Sequence, residues 1–188
     1  CSGVQLSAGF EQMIAIVDVN LIPMTEEVVL EHQTVLVVGT EIIVIGPSDD
    51  IWVPRNALVI DGHGRYLLPG LADMHMHTRE DWDDPDLWPV QPLHLYLANG
   101  VTTIRDFAPT GSRLTYALDW NEEIEAGLRD GPQIITSGEL LYSSPLEDAE
   151  GIVQMNADLG FDFIKFYSYL SVEDFRCGMQ QAKQVGIY

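Results

Sequence analysis

Between Tyr66 and Tyr188 the sequence repeats one order four times: a short strand-like run, then a segment of helical periodicity closed by glycine or proline. Strands that alternate with helices in this way run parallel, because each helix carries the chain back to the start of the next strand. The four runs are "YLLPGLADMHMH", "VTTIRDF", "QIITSG" and "FDFIKFY". Helical stretches follow them at Trp88–Ala98, stopped by Asn99-Gly100, and at about Arg113–Arg129, ended by Asp130-Gly131-Pro132. A third opens at Ser144-Pro145 and stops near Gly160; the last starts at a capping-box pair, Ser171 and Asp174, and runs to about Gln184. A closed (β/α)8 barrel needs about 250 residues, whereas the whole chain has 188. An open flavodoxin-like sheet would fit the length, but its first turn would carry a phosphate-binding loop. Here that turn carries "HMHTRED". The expected fold is therefore α/β, with residues 66–188 as the first half of a TIM-like (β/α)8 barrel, strands one to four.

Residues 12–65 follow a different grammar. "MIAIVDVNLI" alternates, "TVLVV" and "EIIVI" are joined by Gly39-Thr40, and "ALVIDG" closes the set with no helix between. Glycine at the first position of a two-residue link suits a tight hairpin. This stretch reads as an antiparallel β-sandwich portion preceding the barrel, with residues 1–11 as an N-terminal tail. His32 and His63 lie in or beside these strands without a clustered partner in the sequence and are read as structural. His94, inside the first helical stretch, is read the same way.

Charge narrows the partners. Asp and Glu number 29 against 9 Lys and Arg, a net charge of -20. Such a field repels phosphate backbones and anionic lipid surfaces, so no nucleic-acid partner is expected. Two cysteines, Cys1 and Cys177, make no disulfide framework. The opening "CSG" fits a mature lipoprotein whose Cys1 carries a lipid anchor, which would place it in a bacterial periplasm or at the outer membrane. The other reading is that the numbering simply starts there, with a cytoplasmic protein.

Candidate chemistry gathers where barrel enzymes keep theirs, at the carboxyl ends of the strands. In an extended chain Asp73, His75 and His77 project to one face and Met74 and Met76 to the other. Imidazoles and a carboxylate converging at a buried strand end are costly unless paired. A divalent cation would pair them; a hydrogen-bonded polar cluster would do so as well. Lys165 sits in "FDFIKFYSYL" among bulky apolar residues, where desolvation favours the neutral amine. A snorkelling or salt-bridged lysine fits that position too. Arg79, Asp81 and Trp82, on the loop after the histidines, face either a pocket or solvent.

Taken together these segments resemble the amidohydrolase superfamily, in its imidazolonepropionase-like and prolidase-like branch. "LLPGLADMHMH" matches the P-G-x-x-D-x-H-x-H signature, approached through "VIDGHGRY"; "NGVTTIRDF" matches the family's second strand and "DFIKFY" its lysine-bearing fourth. The resemblance implies metal ligation by His75, His77 and Lys165, the lysine as a carbamate bridging two divalent ions, most simply zinc. It implies hydrolysis of carbon–nitrogen bonds by a hydroxide held between the metals. In the family, two further histidines and an aspartate come from strands five, six and eight. This chain has no counterpart of them, so the catalytic acid–base residue is unassigned, and the chain alone is expected to be inactive. The mononuclear deaminase branch shares H-x-H without the strand-four lysine, so Lys165 favours the dinuclear branch. The implied substrate is a dipeptide or a small cyclic amide. The competing reading is a non-catalytic half-barrel that serves binding or assembly. In either case unpaired strand edges and apolar faces lead us to expect a homo-oligomer.

Overall fold

The computed structural model describes residues 12–107 and 113–188; Cys1 and the tail read for residues 1–11 lie outside the described residues. The chain divides into two units, Cys1–Pro69 and Gly70–Tyr188.

The first unit is a single mixed sheet of five strands: β1 (Met13–Leu21), β2 (Leu30–Val38), β3 (Glu41–Pro47), β4 (Leu58–Asp61) and β5 (Tyr66–Leu67). Strands β2 and β3 form the hairpin read from the sequence, with Val38 opposite Glu41 and Gly39 at φ +56°. That left-handed backbone is what glycine accepts without strain. The all-antiparallel expectation holds for β1, β2 and β3 and fails at β4 and β5. Both β4 and β5 pair with β1 in parallel, in the order β3-β2-β1-β4. The connection over 48–57 takes the chain to the far side of β1, so β4 enters in the direction of β3. A loop of that length can turn back or cross over, and its composition does not say which. No second sheet facing this one is present among the described residues, so the sandwich is not what the unit shows. Ala15, Val19, Leu21, Val35 and Leu36 supply its buried apolar positions.

The second unit alternates strands and helices as read. Strands β6 (Leu71–Met76), β7 (Val101–Asp106) and β8 (Gln133–Thr136) form a parallel sheet in sequence order. A parallel bridge between Ser137 and Phe163 continues it toward β10 (Phe166–Tyr169), which pairs in parallel with β9 (Leu141–Ser143). The helices are α1 (Pro92–Ala98), α2 (Tyr116–Glu125), α3 (Ala149–Leu159) and α4 (Val172–Val185). Parallel strands in sequence order with helices between them are the order of a (β/α)8 barrel, broken here by β9, which follows β8 directly.

Several boundaries differ from expectation. "YLLPGLADMHMH" is not one strand: Tyr66 and Leu67 pair with β1, and a new strand begins at Leu71 after Pro69-Gly70. Gly70 cannot carry a side chain, because a Cβ would overlap Thr102. Helix α1 starts at Pro92 rather than Trp88, since proline at the first helical position forces the residue before it out of the helical region. Helix α3 starts at Ala149, capped by Asp148, whose Oδ1 accepts the Gly151 N–H at 2.7 Å. Ser144, read as the cap of α3, serves α4 instead: its Oγ accepts the Ser171 N–H at 2.6 Å and donates to Asp174. Ser171 does cap α4, accepting the Asp174 N–H at 3.1 Å.

Two apolar clusters cement this unit. Met76, Trp82, Leu93, Ile104, Tyr116, Trp120 and Ile134 pack between the three-stranded sheet and α1 and α2. Leu141, Val153, Phe161, Ile164, Ala182 and Ile187 join β9 to α3 and α4.

Candidate metal centre

Strand β6 delivers the two histidines through an irregular register. Asp73 pairs with Ile104 and Met76 with Asp106, so β6 carries one more residue than β7 across this interval. Such a bulge bends the strand and re-aims its side chains. Asp73 is occupied locally, its Oδ1 accepting the His75 N–H at 3.1 Å. Met76 goes into the apolar cluster, while His75 and His77 stay exposed with ring centroids 5.6 Å apart.

A phenylalanine stands between the histidines and the lysine. The Phe107 ring, one residue past β7, lies 4.3 Å from the His75 ring, and the Lys165 ammonium nitrogen is 4.4 Å from the centroid of the same ring. The guanidinium of Arg105 covers Phe107 at 4.5 Å and is tied by Nε to the Met74 carbonyl at 2.9 Å. Cation–π contacts of this kind hold a positive charge over an aromatic face. His75 and Lys165 thus share one aromatic ring, and the His77 ring lies beside that of His75. Lys165 is half-buried just before β10, not locked in an apolar strand.

Behind the strand end lies a polar arrangement that the sequence did not reveal. Asp106, Thr78 and Tyr116 are each fully buried. The Asp106 carboxylate accepts the Thr78 N–H at 3.1 Å and the Thr78 hydroxyl as well. Because the single hydroxyl proton of Thr78 is committed there, the Tyr116 O–H donates to Thr78 Oγ1, at 2.7 Å. Burial pushes the Asp106 carboxyl above its ordinary value; the two Thr78 hydrogen bonds and the nearby His77 oppose that rise. No Lys or Arg is ion-paired to Asp106 among the described residues.

The acidic loop after the histidines is structural. Trp82 is buried in the core, correcting its reading as a pocket or solvent residue, and Arg79 grips Asp81 through two hydrogen bonds of 3.0 and 2.6 Å. Glu80 pairs with Arg113 at 2.9 Å, and Asp83 receives both terminal nitrogens of Arg129. His94 is exposed on α1. His32 and His63, read as lacking partners, share one: Nδ1 of each lies 2.6 Å from an oxygen of Asp18. The sequence places these three residues far apart, and only the pairing of β2 and β4 on either side of β1 brings them together.

As a donor set, two adjacent imidazoles suit a zinc-like ion as part of its shell. Among the described residues no group of three or more His, Cys, Asp or Glu side chains converges to complete one.

No family model matches the chain. An adenine deaminase of Staphylothermus marinus is 30% identical over 93 residues, 48% of this chain and 15% of that protein. A dihydroorotase of Mycobacterium tuberculosis is 48% identical over 50 residues, 27% of this chain and 11% of that protein. Among solved structures, a Xaa-Pro dipeptidase with methionine bound in its active site superposes with a TM-score of 0.74 at 18% identity. The superposition covers 94% of this chain and 55% of that one, so this chain spans about half its length. At such identity the likeness is one of fold.

Proposed function

Because this chain carries sequence and fold marks of the amidohydrolase superfamily, we propose that its parent protein is a metal-dependent hydrolase of amide carbon–nitrogen bonds. The observation that carries the reading is that His75, at the carboxyl end of β6 with His77 beside it, and Lys165, just before β10, both lie against the Phe107 ring. His75 and His77 would each give an imidazole nitrogen to a divalent ion, most simply zinc, and Lys165, as a carbamate, an anionic oxygen to each of two. Such ions would supply an activated water and polarise the substrate carbonyl. For Lys165 to serve in this way, its nitrogen must leave the face of Phe107 as the carbamate forms, because an anion is repelled there.

The substrate class we propose is a dipeptide or small cyclic amide. The likeness to a Xaa-Pro dipeptidase fold supports it, as does Lys165, which a mononuclear deaminase site would not require. The partial match to adenine deaminases supports a second reading, a deaminase holding one metal at His75 and His77.

Metal analysis of the full-length protein and its Lys165→Ala variant separates these readings. A dinuclear hydrolase loses most of its paired metal in the variant, added bicarbonate does not restore it, and turnover of a dipeptide panel falls away. A variant that keeps its metal and its activity overturns the role of Lys165 and leaves the deaminase reading standing.

A further inference from the structure

Asp106 presents a puzzle of charge. A fully buried carboxylate with hydrogen-bond donors but, among the described residues, no Lys or Arg partner is costly to ionise. An apolar residue in its place would pack against α2 at no such cost. Its hydrogen bonds do not run at random: among the described residues both donors belong to Thr78, the residue that follows His77, and Tyr116 of α2 locks the Thr78 hydroxyl from the other side. The neighbouring peptide is pinned as well, by the Phe107 N–H donating to the Met76 carbonyl at 2.9 Å. Residues 76 and 78 are therefore both fastened to residues 106 and 107, and His77 is the one between them left exposed. His77 also lies near enough to act electrostatically on the Asp106 carboxylate.

We propose that Asp106 is a positioning residue for the candidate metal centre: through Thr78 it fixes the backbone that aims His77, and its negative charge favours a cation bound at that imidazole. Carboxylates set one layer behind metal-binding histidines act in this way, and their loss typically weakens metal binding by about 10- to 100-fold. The proposal rests on the metal-site reading above and adds to it a residue outside the ligand set.

The test is zinc affinity of the full-length protein, measured by competition with a chromogenic chelator, together with the visible spectrum of the cobalt-substituted form. Asp106→Asn keeps the shape and can still accept the Thr78 N–H but removes the charge and the second acceptor; it should stay folded and bind zinc about 10- to 100-fold more weakly. Thr78→Val should weaken binding and shift the cobalt spectrum, whereas Thr78→Ser, which keeps the hydroxyl, should restore both. Should Asp106→Asn not fold, the Val and Ser pair carries the comparison. Unchanged affinity and spectrum in Asp106→Asn, or a Thr78→Val protein that matches wild type, overturns the proposal while leaving the metal site intact. Zinc binding that survives His75→Ala with His77→Ala instead removes the metal-site reading, and this inference with it.

Discussion

Nδ1 of His63 lies 2.6 Å from Oδ2 of Asp18, a residue 45 positions earlier in the chain. His32 occupies the other carboxylate oxygen at the same distance. Asp18 and His32 both adopt left-handed backbone, at φ +55° and +52°. That conformation is uncommon for residues other than glycine, although Asp and His are among those that tolerate it.

This cluster makes the stability of the first unit depend on pH. Hydrogen bonding to Asp18 raises the His32 pKa, with Glu31 and Asp49 adding to the rise, and hydrogen bonds to His32 and His63 lower that of Asp18. The His32 contribution is present below the ordinary histidine value and lost as pH rises through the raised one. The Asp18 contribution is present above the ordinary aspartate value and lost as pH falls through the lowered one. Urea unfolding should therefore show less stability at about pH 8.5 than at about pH 5.5, on either side of the ordinary histidine pKa. Asp18→Asn should flatten that difference, and an unaltered slope in the variant refutes the assignment.

Gly138 is fixed by its neighbours. A Cβ there would strike the Asn156 side-chain oxygen and the Phe161 ring. Gly138→Ala should cost about 1–3 kcal/mol in chemical denaturation, as overpacking does. Asn156 is itself buried and ties its amide to the Glu139 and Ile152 carbonyls at 2.9 and 2.8 Å. Asn156→Ala should destabilise alone, yet the double variant should lose less than the sum of the two. Strict additivity would mean that the clash is relieved elsewhere.

Arg129 offers a contrast between two cations. It forks onto Asp83 at 2.8 and 3.0 Å, reaches Glu123 at 2.7 Å and lies 4.9 Å over the Trp120 ring. Lysine has no planar fork with which to make all of these at once. Arg129→Lys should lower stability by about 1 kcal/mol, allowing for the solvent around Asp83. A melting temperature equal to wild type would show that the charge alone matters.

The start of α4 should behave as one coupled cap. Ser171→Ala removes the acceptor of the Asp174 N–H and should cost about 1 kcal/mol. Ser144→Ala leaves the Ser171 N–H without its partner, and the paired substitutions should be non-additive because both hydroxyls bond the Asp174 carboxylate. Thermal unfolding of the four-membered cycle reads the coupling directly.

Local signals were legible in proportion to how little they depended on the rest of the chain. Gly39, Asn99-Gly100 and Ser171 announced their turn, helix stop and cap because each acts within a few residues. The alternation of strands and helices after Leu71 was equally plain. Proline at 92 carried the true start of α1, but a helical pattern upstream of it masked the signal. What escaped was set by pairing at a distance. The direction of β4 depends on a crossing loop, and the break at Pro69-Gly70 on which strand takes up Tyr66. Asp18 joins two histidines only after three strands are aligned. At the candidate site His75, His77 and Lys165 stood out by residue type and spacing. Asp106, Thr78 and Tyr116 have ordinary strand, loop and helix neighbours in the sequence, and only packing of α2 on the three-stranded sheet brings them into one buried group.

The extra residue in β6 between Asp73 and Met76 sets a rule for how this strand can change over time. Side chains there can be exchanged one at a time, since the backbone pairing with β7 resumes at Met76 whatever they are. Deleting a single residue is another matter. It would leave β6 one residue short of β7 between Leu71 and Met76, turn each later side chain to the opposite face, and pull Thr78 off Asp106. Variation in this segment should therefore come as replacement and not as loss or gain of length, however far the surrounding sequence drifts.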